Sequence, residues 1–181
     1  MAADIRILGG LLDDDADVLV NTVNVRGPRG PTMGRGLARA FADRWPAILP
    51  IYREECRNGN LYAGACRLYP LPAPGPGHTR PEAGDRNRAW AAFCTKDNWQ
   101  DSSRYEWVLS GLNELLAAMR FYGYASVAVP ALGCSNGKLD WERVEPMIRE
   151  TFQGSGLDLR LYDTAGHLMK PCRTNQTWIN C

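Results

Sequence analysis

Lys96 directly follows an apolar run, Ala89 to Thr95 (AWAAFCT). A lysine held against a dry pocket at the end of a buried strand gives up its proton more readily than one in water, and the free amine is a nucleophile. Position alone fits a solvated surface lysine better. Two other segments are composed to hold an anion. Asn21 to Gly36, NTVNVRGPRGPTMGRG, has four glycines, three arginines and no acid. Glycines let a backbone approach a ligand, and its N–H groups, with the start of a following helix, face negative charge. A flexible loop with solvated arginines has the same composition. Pro130 to Gly137, PALGCSNG, offers backbone amides between a strand and a helix, as any strand-to-helix turn does.

Each segment needs a strand to carry it, because ligands of open α/β sheets bind beyond the carboxyl ends of the strands. Short buried strands are expected at Asp4 to Leu8, Asp17 to Val20, Ala65 to Tyr69, Ala89 to Thr95, Ser126 to Val129 and Leu157 to Tyr162. Helices are expected at Gly36 to Trp45, stopped by Pro46, and from there to about Cys56 with Pro50 near its start. Ser103-Arg104-Tyr105-Glu106 reads as a capping box opening a helix with Val108, Leu109, Leu112, Leu115, Leu116 and Met119 at helical spacing, stopped at Gly123. Asp140 caps a helix starting at Trp141. Alternating strands and amphipathic helices predict an α/β layered sheet. Pro70 to Arg88 reads as a long exposed loop rich in Pro and Gly, and Leu168 to Cys181 as a tail without pattern. One domain over 1–167 is expected, with the loop at 70–88 an insertion and 168–181 the tail.

The 181 residues carry 21 Lys plus Arg and 20 Asp plus Glu, a net charge of +1. No global field draws the chain to nucleic acid or membrane, so anion binding must be local. The chain opens without a basic stretch leading into an apolar one, and no run reaches the length of a membrane helix; a cytoplasmic protein is expected. The six cysteines form no CxxC pair and only His78 and His167 could join them, which disfavours zinc; reduced thiols are expected, with a Cys172–Cys181 bridge the alternative. No cofactor is implied.

In combination and order, four motifs resemble the macrodomain family over about residues 4 to 163. They are Val20-Asn21-Thr22-Val23-Asn24; Met33-Gly34-Arg35-Gly36; Phe93-Cys94-Thr95-Lys96 with Trp99 and Arg104-Tyr105-Glu106; and Val129-Pro130-Ala131-Leu132-Gly133-Cys134 with Leu139-Asp140-Trp141. The likeness is strongest to the DarG-type antitoxin macrodomains and the related terminal ADP-ribose glycohydrolase branch. It implies a three-layer α/β/α fold around a mixed, mostly parallel sheet, with an ADP-ribose cleft at the strand ends. Asn24 would lie near the distal ribose and Asn21 would shape that pocket. Met33, Gly34, Arg35 and Gly36 would form one loop on the diphosphate, and Leu132, Gly133, Cys134, Ser135, Asn136 and Gly137 the other. Lys96 matches the lysine of the DarG-like and terminal-ribose-removing branches.

The chain also departs from the family. Gly9 is followed by Gly10, where relatives carry an Asp or Asn that reads adenine; Asp13 to Asp15 or Asp17 are the nearby substitutes. Gly27 to Pro31 lengthen the first loop. Ser135 and Lys138 stand where relatives often have glycine. The acid that accompanies the lysine in the glycohydrolase branch aligns near Gly137 and is absent, which matches the DarG pattern. The resemblance implies an ADP-ribosyl hydrolase acting on ADP-ribose attached to a nucleobase of single-stranded DNA, with esters on protein Glu or Asp, or ADP-ribose reading without cleavage, as rivals. A cognate ADP-ribosyltransferase toxin is an implied partner. Lys96 would attack C1″, or act as a proton donor or electrostatic stabiliser. Arg26, Arg29, Arg80, Arg86, Arg88 and Arg104 are candidates for a phosphate backbone, and Trp99 for stacking on a base or covering the cleft.

Overall fold

The structure, a computed structural model, describes residues 10–28, 30–78 and 87–169. The strand expected at Asp4 to Leu8 and the Cys172–Cys181 alternative lie outside them. The described sheet has five strands: β1 (Val18–Arg26), β2 (Cys66–Pro70), β3 (Ala89–Asn98), β4 (Ser126–Val129) and β5 (Asp158–Leu161). Their order is β2-β3-β1-β4-β5, parallel except that β2 runs against β3. The helices are α1 (Gly36–Arg44), α2 (Ile48–Arg57), α3 (Tyr105–Tyr122) and α4 (Trp141–Phe152).

Alternation along the central strands builds the layers. Leu19, Val23 and Val25 of β1 and Trp90, Ala92 and Cys94 of β3 pack with Phe41, Ile48 and Tyr52 of α1 and α2. Val18 and Val20 of β1 and Ala89, Ala91 and Phe93 of β3 pack with Leu112, Leu115 and Met119 of α3 and with Val144 and Ile148 of α4. The central strands are therefore apolar on both faces, as parallel sheets covered by helices are. This is the three-layer α/β/α arrangement with a mixed, mostly parallel sheet. No helix among the described residues is long and apolar enough to cross a membrane.

Several sequence expectations need correction. β1 does not stop at Val20: Asn21 to Arg26 stay paired along β3, and Val23 and Val25 keep contributing to the core, so pairing outweighs the polar composition of this stretch. β3 likewise runs through Lys96 to Asn98. Ser103 is not the cap of α3. Arg104 occupies that place with an extended backbone, and among the described residues no side chain caps the helix and the buried Ser103 hydroxyl has no hydrogen-bond partner. The segment after β2 is anchored where it is described: Leu71 N–H donates to Arg88 O and Gly75 N–H to Arg44 O, each at 2.8 Å. Leu168 and Met169 are not loose, because Leu168 bridges to Tyr162 and Met169 N–H donates to Leu161 O at 2.8 Å. Asp140 caps α4 as read, accepting from Glu142 N–H at 3.0 Å.

The layer beneath α3 is tightly fitted at one point. A Cβ on Gly111 would stand 2.5 Å from Phe93 Cζ. Gly111→Ala is therefore expected to cost about 1–3 kcal/mol in urea unfolding; an unchanged midpoint would show that the Phe93 ring moves aside freely.

Candidate functional site

Parallel pairing places the site. In the register of β1 and β3, Val23 faces Cys94 but Asn24 faces Lys96, so β3 carries one extra residue, Thr95, at this point. Such a bulge re-aims side chains at a strand end. It sets Lys96 level with Asn24, the residue expected near the distal ribose. Lys96 is only 8 % exposed. Its Nζ donates to Trp99 O at 3.3 Å, in the turn leaving β3, and to Asn136 O, in the loop between β4 and α4. Burial lowers the pKa of Lys96 and the charge of Lys138 lowers it further, while Asp101 opposes them.

Around Lys96 opens a cleft of about 1330 Å³. Asn24, Gly34, Arg35 and Gly36 line it from one side, and Gly133, Ser135, Asn136 and Gly137 from the other. Trp99, 42 % exposed, stands on its rim. Four expected site residues do not line it. Asn21 is fully buried, with Nδ2 against Met33 Sδ at 3.7 Å and, among the described residues, no hydrogen-bond partner for Oδ1. Met33 is buried with it, and Leu132 belongs to the core. The Cys134 thiol donates to Leu132 O at 3.4 Å, and burial pushes its pKa up to about 11, which leaves it a poor nucleophile. These four support the loops from beneath.

Two of the loop glycines are demanded by the fold. A side chain on Gly137 would collide with Ser103 Oγ and Gly133 O, and Gly133 has φ +70° with Leu139 and Ser103 pressed against it. Ser103 N–H also donates to Gly137 O at 2.9 Å. Ser103 thus works as a strut under the second loop, which explains why it is unavailable as a helix cap. Among the described residues, chain neighbours aside, the atom nearest to a Cβ built on Gly34 is Thr32 Oγ1 at 3.8 Å, so packing does not require glycine there. The backbone start of α1 has no side-chain cap, whereas Asp140 already occupies the start of α4. Of the two helix ends expected to serve an anion, the one at Gly36 is open.

The acids proposed as adenine readers are all engaged elsewhere. Asp13 pairs with Arg44 at 2.6 Å. Asp14 accepts from Tyr162 OH at 2.6 Å and pairs with Arg160 at 2.6 Å, and Asp15 also meets Arg160. Asp17 accepts from Ala125 and Ser126 N–H at 2.8 and 3.0 Å. Arg88 is removed from the phosphate-binding set: it is buried and donates to Ala16 O and Asp14 O. Arg104 lies over the Trp107 ring at 4.9 Å, and Arg26 pairs with Asp97 at 3.3 Å while staying largely exposed. Arg29, Arg80 and Arg86 lie outside the described residues. Sequence reasoning missed a third wall, Tyr162, Asp163 and Gly166. The rule used for the other loops applies to it, since Leu161 ends a parallel strand and Asp163 opens a turn.

No family model matches the chain. It is 34% identical over 160 residues to the DNA ADP-ribosyl glycohydrolase of Mycobacterium tuberculosis, covering 87% of this chain and 41% of the relative. It is 30% identical over 176 residues to that of Thermus aquaticus, covering 93% and 44%. It is 31% identical over 137 residues to a DNA ADP-ribosyl transferase–DNA ADP-ribosyl glycohydrolase fusion protein of Thermosipho africanus, covering 72% and 33%. The chain thus spans less than half the length of these curated relatives. Among solved structures, the macrodomain of M. tuberculosis DarG superposes with a TM-score of 0.71 at 34% identity, over 84% of this chain and 91% of that one. T. africanus DarTG in complex with ADP-ribose gives 0.70 at 26% identity, over 83% and 38%. Nearly all of the solved DarG macrodomain is matched, and on that match the chain belongs to the macrodomain family, among the DarG macrodomains.

Proposed function

We propose that this chain is an ADP-ribosyl glycohydrolase, that it releases ADP-ribose from a nucleobase of single-stranded DNA, and that Lys96 is its nucleophile. The observation that carries this reading is the setting of Lys96, buried at the cleft with its amine hydrogen-bonded, among the described residues, to two backbone carbonyls. A neutral amine has two N–H bonds and one lone pair. Trp99 O and Asn136 O can take the two hydrogens, which leaves the lone pair uncommitted. Among the described cleft-lining residues the only carboxylate is Asp163, already accepting from Ala165 and His167 N–H at 2.9 and 2.8 Å. The paired carboxylates of ordinary glycosidases have no counterpart in that lining.

In the proposed reaction, ADP-ribose lies with its diphosphate between the two loops and its distal ribose toward Asn24 and Lys96. Nζ attacks C1″ as the bond from C1″ to the base nitrogen breaks. The proton lost by the new ammonium goes to the departing base. The glycosylamine opens to an imine as its N–H proton passes to the ring oxygen. Water then hydrolyses the imine, restores the lysine amine and frees ADP-ribose. The names of the M. tuberculosis and T. aquaticus relatives support a DNA substrate. So does the exposed Trp99 ring on the rim, which suits a base. The Thermosipho fusion supports an ADP-ribosyltransferase as partner.

Release of ADP-ribose from a modified single-stranded oligonucleotide, run beside a modified protein ester, tests the reading. Lys96→Ala is expected to abolish release from the oligonucleotide while ADP-ribose still binds; release that survives in Lys96→Ala contradicts it. Binding of ADP-ribose by the unaltered chain without any release would make it a reader. Because only the neutral amine attacks and its pKa is lowered by burial, kcat/KM is expected to rise with pH and level off below the ordinary lysine range. A rate that falls through that window would assign Lys96 the role of acid. Trp99→Ala is expected to weaken kcat/KM on the oligonucleotide roughly 10-fold, with ADP-ribose affinity unchanged; equal rates would remove Trp99 from the substrate contact.

A further inference from the structure

The chain contains 18 arginines but only three lysines, Lys96, Lys138 and Lys170. Lys138 sits in the loop whose Asn136 carbonyl holds the Lys96 amine, and its charge acts on Lys96. Lys138 is also the one non-glycine residue with positive φ among the described residues, at 62°. A side chain in that left-handed conformation costs stability, and such strain persists where the surroundings impose it. Here they do: Lys138 N–H donates to Ser135 O at 3.2 Å and Leu139 N–H to Gly133 O at 3.0 Å, closing the turn whose Asn136 carbonyl holds Lys96. Glycine would take this backbone without cost, yet a cation stands there, exposed and two residues from that carbonyl.

We propose that Lys138 is a positioning residue for Lys96: the turn holds its charge beside the buried amine at the expense of backbone strain, and that charge keeps Lys96 available as a nucleophile. This rests on the reading of Lys96 as the working amine. Among the described residues, the charges that act on Lys96 are Lys138 from the loop before α4 and Asp101 from the turn after β3, while its register neighbour on β1, Asn24, is uncharged. A like charge disfavours the ammonium, and Asp101 favours it. Lys138 is exposed, so its influence is open to screening by salt.

With three lysines, the full chain labelled with [13C]lysine gives three Cε signals, and the pH titration of Lys96 is read directly. In Lys138→Gln, Lys96 is expected to titrate at a pH roughly 0.5 to 1 higher, and in Lys138→Arg at its original pH. Lys138→Gly is expected to raise the titration in the same way while the melting temperature increases, which separates charge from strain. The rising limb of kcat/KM should move with the titration, and added salt should shrink the difference between Lys138→Gln and the unaltered chain. An unchanged Lys96 titration in Lys138→Gln, or Lys138→Arg behaving like Lys138→Gln, overturns the proposal. The titration needs no turnover, so a chain that releases no ADP-ribose would refute the proposed function while this test still returns its own answer.

Discussion

The site depends on one buried amine shared between two loops. Lys96 reaches Trp99 O on its own strand's exit turn and Asn136 O on the loop after β4. A buried ammonium without partners is expensive, and one with two carbonyls is tolerable. The amine therefore ties the two loops together, and the loops in turn hold the amine where its charge is only partly stabilised. Three further features bear on that arrangement. The extra residue at Thr95 brings Lys96 level with Asn24, Ser103 fills the space that Gly133 and Gly137 leave, and the buried Asn21–Met33 pair supports the first loop.

A second polar network holds the far wall. Asp14, buried, collects Tyr162 OH, Arg160 and Ala16 N–H, and Arg88 closes the group through the carbonyls of Asp14 and Ala16. Every member has a partner, which is the condition under which buried polar groups fix a structure rather than weaken it. The network joins the segment before β1 to β5 and fixes Tyr162 at the cleft. Asp15, largely exposed, meets the same Arg160, while Asp13 pairs with Arg44 and Asp17 with the backbone of Ala125 and Ser126.

Much of this was legible in the sequence for physical reasons. Alternating apolar strands and amphipathic helices announce a covered parallel sheet, and Gly123, Pro46 and Asp140 mark helix limits through conformational rules that act locally. The loops Gly34–Gly36 and Gly133–Gly137 were visible because the carboxyl ends of strands are where such sheets bind ligands. What escaped depends on contacts distant in sequence. Asn21 to Arg26 read as a loop because its polar residues conceal a pairing with β3. Ser103 read as a cap because its partner glycines lie some thirty residues on. Arg88 read as solvent-exposed because Asp14 and Ala16 are more than seventy residues away. The wall at Tyr162 was available to the strand-end rule and was missed.

The central claim is that the Lys96 amine forms a bond to C1″ during release. Sodium borohydride added during turnover of an ADP-ribosylated single-stranded oligonucleotide reduces an imine to a stable amine, and peptide mass spectrometry locates it. An ADP-ribosyl adduct on Lys96, absent without substrate, is the expected result. Continued release of ADP-ribose with Lys96 unmodified under the same trapping would contradict the claim.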